Sequence, residues 1–324
     1  MQYAIGVDLG GTKTAAGVVS AAGEVLFSET IPTLNRAGGE AILDATAVLV
    51  SGLMERARPQ GLEVSLVGVG SAGVIDAGRG AVVSATDAIL GWAGTELRAG
   101  LAGRLALPPE SVRAVNDVHA HALGEAWTGA AAGTASSLLV AFGTGVGGSF
   151  VQAGRPVLGH RYVAGHVGHM ASPFAYIRGR ALACVCGSAG HVEAVASGPA
   201  ILEAYLRLGG SPHVPDTRAV FVRAHDGEPA AAAAIGAAAA AAGQAVGGLA
   251  NVLDPELVVV TGGLADAGEL WWKPMDSALR AELLPPLAGM QVRRAALGNT
   301  AAVIGAASLV LNSPSPATHH RETP

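Results

Sequence analysis

Aromatic residues make up only 4% of this chain of 324 residues, and charged residues only 14%. A core poor in large rings must be filled by aliphatic side chains, and the 50% apolar content supplies enough for two packed lobes. Cysteine is nearly missing: Cys184 and Cys186 are the two present, which excludes a disulfide scaffold. No lysine or arginine run stands out and the formal net charge is −5, so no nucleic-acid partner is expected. The N-terminus lacks the basic start, apolar stretch and cleavage site of a signal peptide, because Asp8 and a glycine pair follow almost at once. A cytoplasmic location with reduced thiols is the expectation. The mean hydropathy is nevertheless +0.42. Its longest apolar run, Ala230 to Val246, is mostly alanine broken by Gly236, Gly243 and Gln244, and alanine contributes little to bilayer insertion. That run reads as a buried helix, and no membrane partner is expected.

Glycine is abundant, at 46 residues, and it clusters. Tyr3 to Val7 reads as a strand that runs into Asp8-Leu9-Gly10-Gly11-Thr12-Lys13, and Ala15 to Val19 resumes the apolar pattern, giving a hairpin with a glycine turn. Ala41 to Arg58 has helical spacing; Ser65 to Gly70 reads as a strand leading to Ser71-Ala72-Gly73. Val112 to Val115 leads to Asn116-Asp117 and a helical stretch from His119 to Trp127. The second half repeats the grammar. Leu138 to Phe142 ends in Gly143-Thr144-Gly145-Val146-Gly147-Gly148, Ser149 to Gln152 follows, and the strand Leu257 to Thr261 ends in Gly262-Gly263. Glycine turns at strand ends let backbone amides approach an anion, and three of them can surround one nucleotide. Asp8 could hold Mg²⁺, while Thr12 and Lys13 offer a hydroxyl and a cation to phosphate oxygens.

These motifs, with Gly165 to His169 and the Cys184-Val185-Cys186-Gly187 to Glu193 segment, resemble the ROK family of bacterial sugar kinases over nearly the whole chain. The resemblance implies an α/β, actin-like ATPase (ribonuclease H-like) fold of two lobes with an interlobe cleft. It implies a small lobe over residues 1–115 on which a C-terminal helix at 300–312 packs back, a large lobe over 116–299, and a disordered tail at 313–324. The implied reaction is ATP-dependent phosphorylation of the 6-hydroxyl of a hexose or N-acetylhexosamine, by a homodimer or homotetramer. Asp117 is then the general base, with Gly73, Asn116, Asp117, His166, His169 and Glu193 on the sugar. Asp8, Gly10, Gly11, Thr12, Lys13, Gly143, Thr144, Gly145, Gly147, Gly262 and Gly263 fall to the nucleotide. On the residues alone, Asn-Asp before a helix reads as a cap, and it is the resemblance that reverses this. The segment from Ser84 to Trp92, with Thr86 and Asp87, falls where the family lines its sugar pocket.

A structural Zn²⁺ is expected on His169, Cys184, Cys186 and His191. The family segment is similar to CxCGxxGCxE, so His191 stands where a third cysteine belongs. A glutamate is usual at position 166; His166 resembles bacterial N-acetylmannosamine kinases and favours that sugar over glucose. Glucokinase or N-acetylglucosamine kinase is the alternative, and a non-catalytic sugar sensor is the alternative of another class. A sensor would be expected to lose the base, and Asp117 is present. Repressors of the family carry an added N-terminal DNA-binding module, for which a phosphate loop beginning at Asp8 is expected to leave no room.

Overall fold

The computed structural model describes residues 2–86 and 88–312, so Asp87 and the tail expected to be disordered lie outside the described residues. The chain divides into two compact units. One runs up to Gly124 and resumes at Asn299; the other is Glu125–Gly298. The division falls inside a helix, past the boundary at 115/116 that the sequence suggests.

The first unit opens with β1 (Tyr3–Leu9), β2 (Lys13–Ser20) and β3 (Val25–Pro32), an antiparallel meander. Helix α1 (Gly39–Ala57) buries Ile42, Leu43, Leu49, Val50 and Leu53 on one face, as apolar residues at three- and four-residue spacing must. Strand β4 (Val64–Ser71), a small hairpin of β5 (Val74–Asp76) and β6 (Ala81–Ser84), helix α2 (Leu97–Leu105) and strand β7 (Val112–Asn116) lead to α3 (Asp117–Trp127). The sheet order is β3-β2-β1-β4-β7, with β1, β4 and β7 parallel. Central β1 is almost wholly buried, as a strand covered on both faces should be.

The second unit repeats this plan. Strands β8 (Ser136–Phe142), β9 (Val146–Gln152) and the short β10 (Arg155–Pro156) are antiparallel. A hairpin of β11 (Tyr176–Ile177) and β12 (Arg180–Ala181) precedes helices α4 (Glu193–Ala196), α5 (Gly198–Arg207), α6 (Thr217–His225) and α7 (Pro229–Leu253). Then come β13 (Leu257–Thr261), α8 (Glu269–Glu282) and β14 (Gln291–Arg294), giving the order β10-β9-β8-β13-β14 with β8, β13 and β14 parallel. Among the described residues α7 alone is long and apolar enough to cross a membrane. Its small residues instead admit α8: a Cβ on Gly243 would lie 2.1 Å from the Met275 carbonyl oxygen.

The chain then returns to the first unit as α9 (Ala301–Leu311). Glycines let it lie directly on the sheet. A Cβ on Gly6 would come within 1.8 Å of the Val303 carbonyl oxygen, and one on Gly68 within 1.7 Å of that of Ala306. Neither β1 nor β4 could carry a side chain there without displacing the helix. Val303 and Ile304 are buried in consequence, each contributing about 1.5–3 kcal/mol.

Candidate functional site

The turn Gly10-Gly11-Thr12 joins β1 to β2. Its carbonyl groups are engaged from the exit of β3: Thr33 Oγ1 donates to Gly10 O at 2.8 Å, Asn35 Nδ2 to Gly11 O at 2.9 Å, and Thr33 N–H to Thr12 O at 3.0 Å. The N–H groups of Gly11 and Thr12 have no hydrogen-bond partner among the described residues. Thr12 and Lys13 are exposed at the same turn. Two unpaired amides, a hydroxyl and an ammonium are a donor set whose chemistry suits phosphate oxygens.

Asp8 lies within β1, paired with Gly70 of β4. Burial pushes its carboxyl up to about 6, the Asp117 charge adds to the shift, and Lys13 offsets it only in part. Two carboxylates thus share one neighbourhood with incomplete compensation, which is the setting a divalent cation relieves. The donor chemistry fits Mg²⁺ with Asp8 as its holder.

Asp117 is the first residue of α3, delivered there by β7 beside the end of β4, where Ser71 pairs with Asn116. Asn116 Oδ1 accepts from Val118 N–H at 2.9 Å, so the capping role open to this dipeptide is real. The Asn116 amide also donates to Gly73 O at 2.9 Å. Asn116 therefore fixes both the helix start and the Ser71-Ala72-Gly73 turn, where Gly73 has φ +97. Trp92 supports the same turn, its indole N–H donating to Ala72 O at 3.1 Å.

In the second unit the turn Gly143-Thr144-Gly145 joins β8 to β9, and the N–H groups of Thr144 and Gly145 have no partner among the described residues. The turn is shorter than the glycine run suggests. Gly147 is not in it but in β9, paired with Ala141, because strand pairing resumes at Val146. Gly143 O accepts the first amide of α5, Gly198 N–H, at 2.8 Å. Glu193 Oε2 accepts Val146 N–H at 2.7 Å, while its Oε1 has no hydrogen-bond partner among the described residues. Gly262 has φ +89 and sits so close to β8 that a Cβ would meet Phe142 O at 2.3 Å; Gly263 follows it in the open.

The donor atoms of His169, Cys184, Cys186 and His191 all lie within 4.8 Å of one another. Cys184 Sγ is 3.6 Å from His169 Nδ1, and Cys186 Sγ is 3.3 Å from His191 Nδ1. Those separations fit the edges of a tetrahedron with zinc-to-sulfur and zinc-to-nitrogen distances of about 2.3 and 2.0 Å. His191 therefore joins the cluster at the place of the expected cysteine. Burial pushes the Cys184 thiol up, so a bound cation is needed to hold it as thiolate. His166 stacks near His169 at 6.3 Å between ring centroids. Its Nδ1 lies 3.0 Å from Val163 O; a carbonyl only accepts, so Nδ1 is the donor of that bond and Nε2 takes no part in it.

A family model described as the ROK family matches residues 4–313. The chain belongs to the ROK family. A glucokinase of Streptomyces coelicolor is 35% identical to it, over 95% of this chain and 98% of the relative. The crystal structure of a ROK hexokinase from Thermus thermophilus matches with a TM-score of 0.81 at 33% identity, covering 96% of this chain and 97% of that one. A ROK family glucokinase from Streptomyces griseus, solved in complex with glucose and AMPPNP, gives 0.77 at 32% identity, covering 96% and 100%. This ROK protein thus has the actin-like ATPase fold expected of it. Sequence reading missed Thr33 and Asn35 because their roles lie in where a strand exits, which no local motif marks.

Proposed function

We propose that this sugar kinase transfers the γ-phosphoryl group of ATP to the 6-hydroxyl of a hexose or N-acetylhexosamine, with N-acetylmannosamine the acceptor it serves best. The observation that carries the reading is the pairing, within the first unit, of unpaired amides at Gly11 and Thr12 with the carboxylates Asp8 and Asp117. A phosphate cradle beside two acidic groups suits phosphoryl transfer, in which alignment and charge neutralisation supply most of the catalysis. Asp117 takes the proton of the attacking hydroxyl as that oxygen bonds to the γ-phosphorus, and ADP leaves as the bond to the bridging oxygen breaks. Mg²⁺ held at Asp8 would neutralise β- and γ-phosphate charge. In the second unit, the Gly143 turn offers two further unpaired amides, which suit an anion. Zn²⁺ on the Cys₂His₂ set would fix the segment carrying Glu193, which leaves Oε1 for a sugar hydroxyl.

The acceptor preference rests on His166. Its Nδ1 is engaged by Val163 O, which leaves Nε2 to hydrogen-bond the acetamido group at C2. Glucose is the second reading, favoured by the 35% identity to a relative named glucokinase. A coupled ADP-release assay over glucose, mannose, N-acetylglucosamine and N-acetylmannosamine decides. N-acetylmannosamine should give the highest kcat/KM; glucose in first place would replace it, and no turnover with any of the four would overturn the kinase reading. His166→Glu should move the ranking toward glucose. Metal analysis of the same protein should find zinc, and Cys184→Ser should remove it.

A further inference from the structure

Thr33 and Asn35 follow an edge strand and belong to neither carboxylate pair nor metal cluster, yet they engage all three carbonyl groups of the Gly10-Gly11-Thr12 turn. We infer that they are positioning residues, which hold this turn with its amides presented to the terminal phosphates of the nucleotide. The inference rests on the kinase reading above and adds to it the residues that give the turn its shape.

The argument is one of peptide geometry. No peptide bond among the described residues is cis, so the N–H of Gly11 points opposite to the Gly10 carbonyl, and the N–H of Thr12 opposite to that of Gly11. Pinning the two carbonyls toward β3 turns the two unpaired amides to the other side. The pins are themselves fixed. Thr14 Oγ1 and Thr33 Oγ1 are 2.8 Å apart and both residues are buried. Since Thr33 spends its proton on Gly10 O, Thr14 is the donor to Thr33, and the two hydroxyls form a relay with one direction. Asn35 is tied by its main chain, its N–H to Thr33 O and its carbonyl to Leu90 N–H, both at 2.8 Å, so a side-chain change leaves it in place. A glycine turn without such pins samples many orientations, and a phosphate would have to order it on binding.

Nucleotide affinity of the intact chain tests this, measured by calorimetry with AMP, ADP and ATP. Thr33→Val keeps the shape and deletes the hydroxyl. It should weaken ATP about tenfold, ADP less, and AMP little, with KM for the sugar within about twofold of the parent. Thr33→Ser should restore ATP affinity, and Asn35→Leu should repeat the valine pattern. Equal ATP affinity in parent and Thr33→Val, an equal loss for all three nucleotides, or a serine variant as weak as valine would each overturn the assignment. Should Thr33→Val lose its melting transition, Asn35→Leu decides by the same criteria. A parent chain that binds no ATP would instead overturn the kinase reading, and the inference with it.

Discussion

Three residues join the first two strands of each unit, Gly10–Thr12 in one and Gly143–Gly145 in the other, and each turn leaves two amides unpaired. Around that shared backbone the side chains differ. The position before the last residue of the strand is Asp8 in β1 and Ala141 in β8, and the residue after the turn is Lys13 in one and Val146 in the other. The first turn is held by uncharged side chains, Thr33 and Asn35; the second by a helix amide and the Glu193 carboxylate. One backbone plan therefore supplies two pairs of unpaired amides, and the first of them lies in the unit where the carboxylates Asp8 and Asp117 face each other. Edge strands account for the different supports: β3 is long enough to deliver Thr33, whereas β10 has two residues.

The asymmetry can be broken in four places. Asp117→Ala should lower kcat by a factor on the order of 10² or more with sugar binding largely intact; near-normal turnover in the ADP-release assay would take the base away from the first unit. Asp8→Asn should abolish Mg²⁺-dependent turnover yet stabilise the metal-free chain. Because the folded pKa is raised to about 6, the folded chain holds the extra proton, and stability falls as pH rises from about 4 to about 6. Removing the charge should return about 1–3 kcal/mol above pH 6 and nothing below pH 4, read by denaturant melts without metal.

Glu125 is the contrasting carboxylate, since its partners are structural. Buried, it accepts from the amides of Ala130 at 2.7 Å, Ala296 at 3.0 Å and Leu297 at 2.9 Å. Glu125→Gln sets an NH₂ against one of those donors and should cost about 1–3 kcal/mol, with kcat unchanged below the melting range. The smallest effect is expected from Glu193→Gln, whose oxygen can still accept from Val146. KM for the sugar should rise about tenfold and KM for ATP should stay put. The reverse split would make Glu193 a support of the turn and not a sugar ligand.

Much of this was open to sequence reading where burial imposes a pattern. β1, β4, β8 and β13 are nearly continuous apolar runs ending in glycine, and all were expected. β3 was not, because an edge strand with polar residues along VLFSETIP carries no buried period; β14, as QVRR, hides for the same reason. The glycines of β9 disguised a strand as loop, since a residue without a side chain shows no alternation, and Gly147 was misplaced with them. Within the site, Asp8, His169, Cys184 and Cys186 were legible as candidates from type and spacing, whereas Asp117 entered through the family resemblance, because Asn-Asp before a helix reads as a cap. Whether His191 would reach the cluster depended on the fold of the segment between Cys186 and Glu193, and that only coordinates supply.

Because α9 lies against glycines of β1 and β4, the order of synthesis matters. A ribosome delivers the whole of Glu125–Gly298 before the helix that covers the opening sheet. The unit begun first is thus completed last, and a nascent chain stopped short of Ala301 would present an uncovered strip of β-sheet to whatever chaperone or neighbour is at hand.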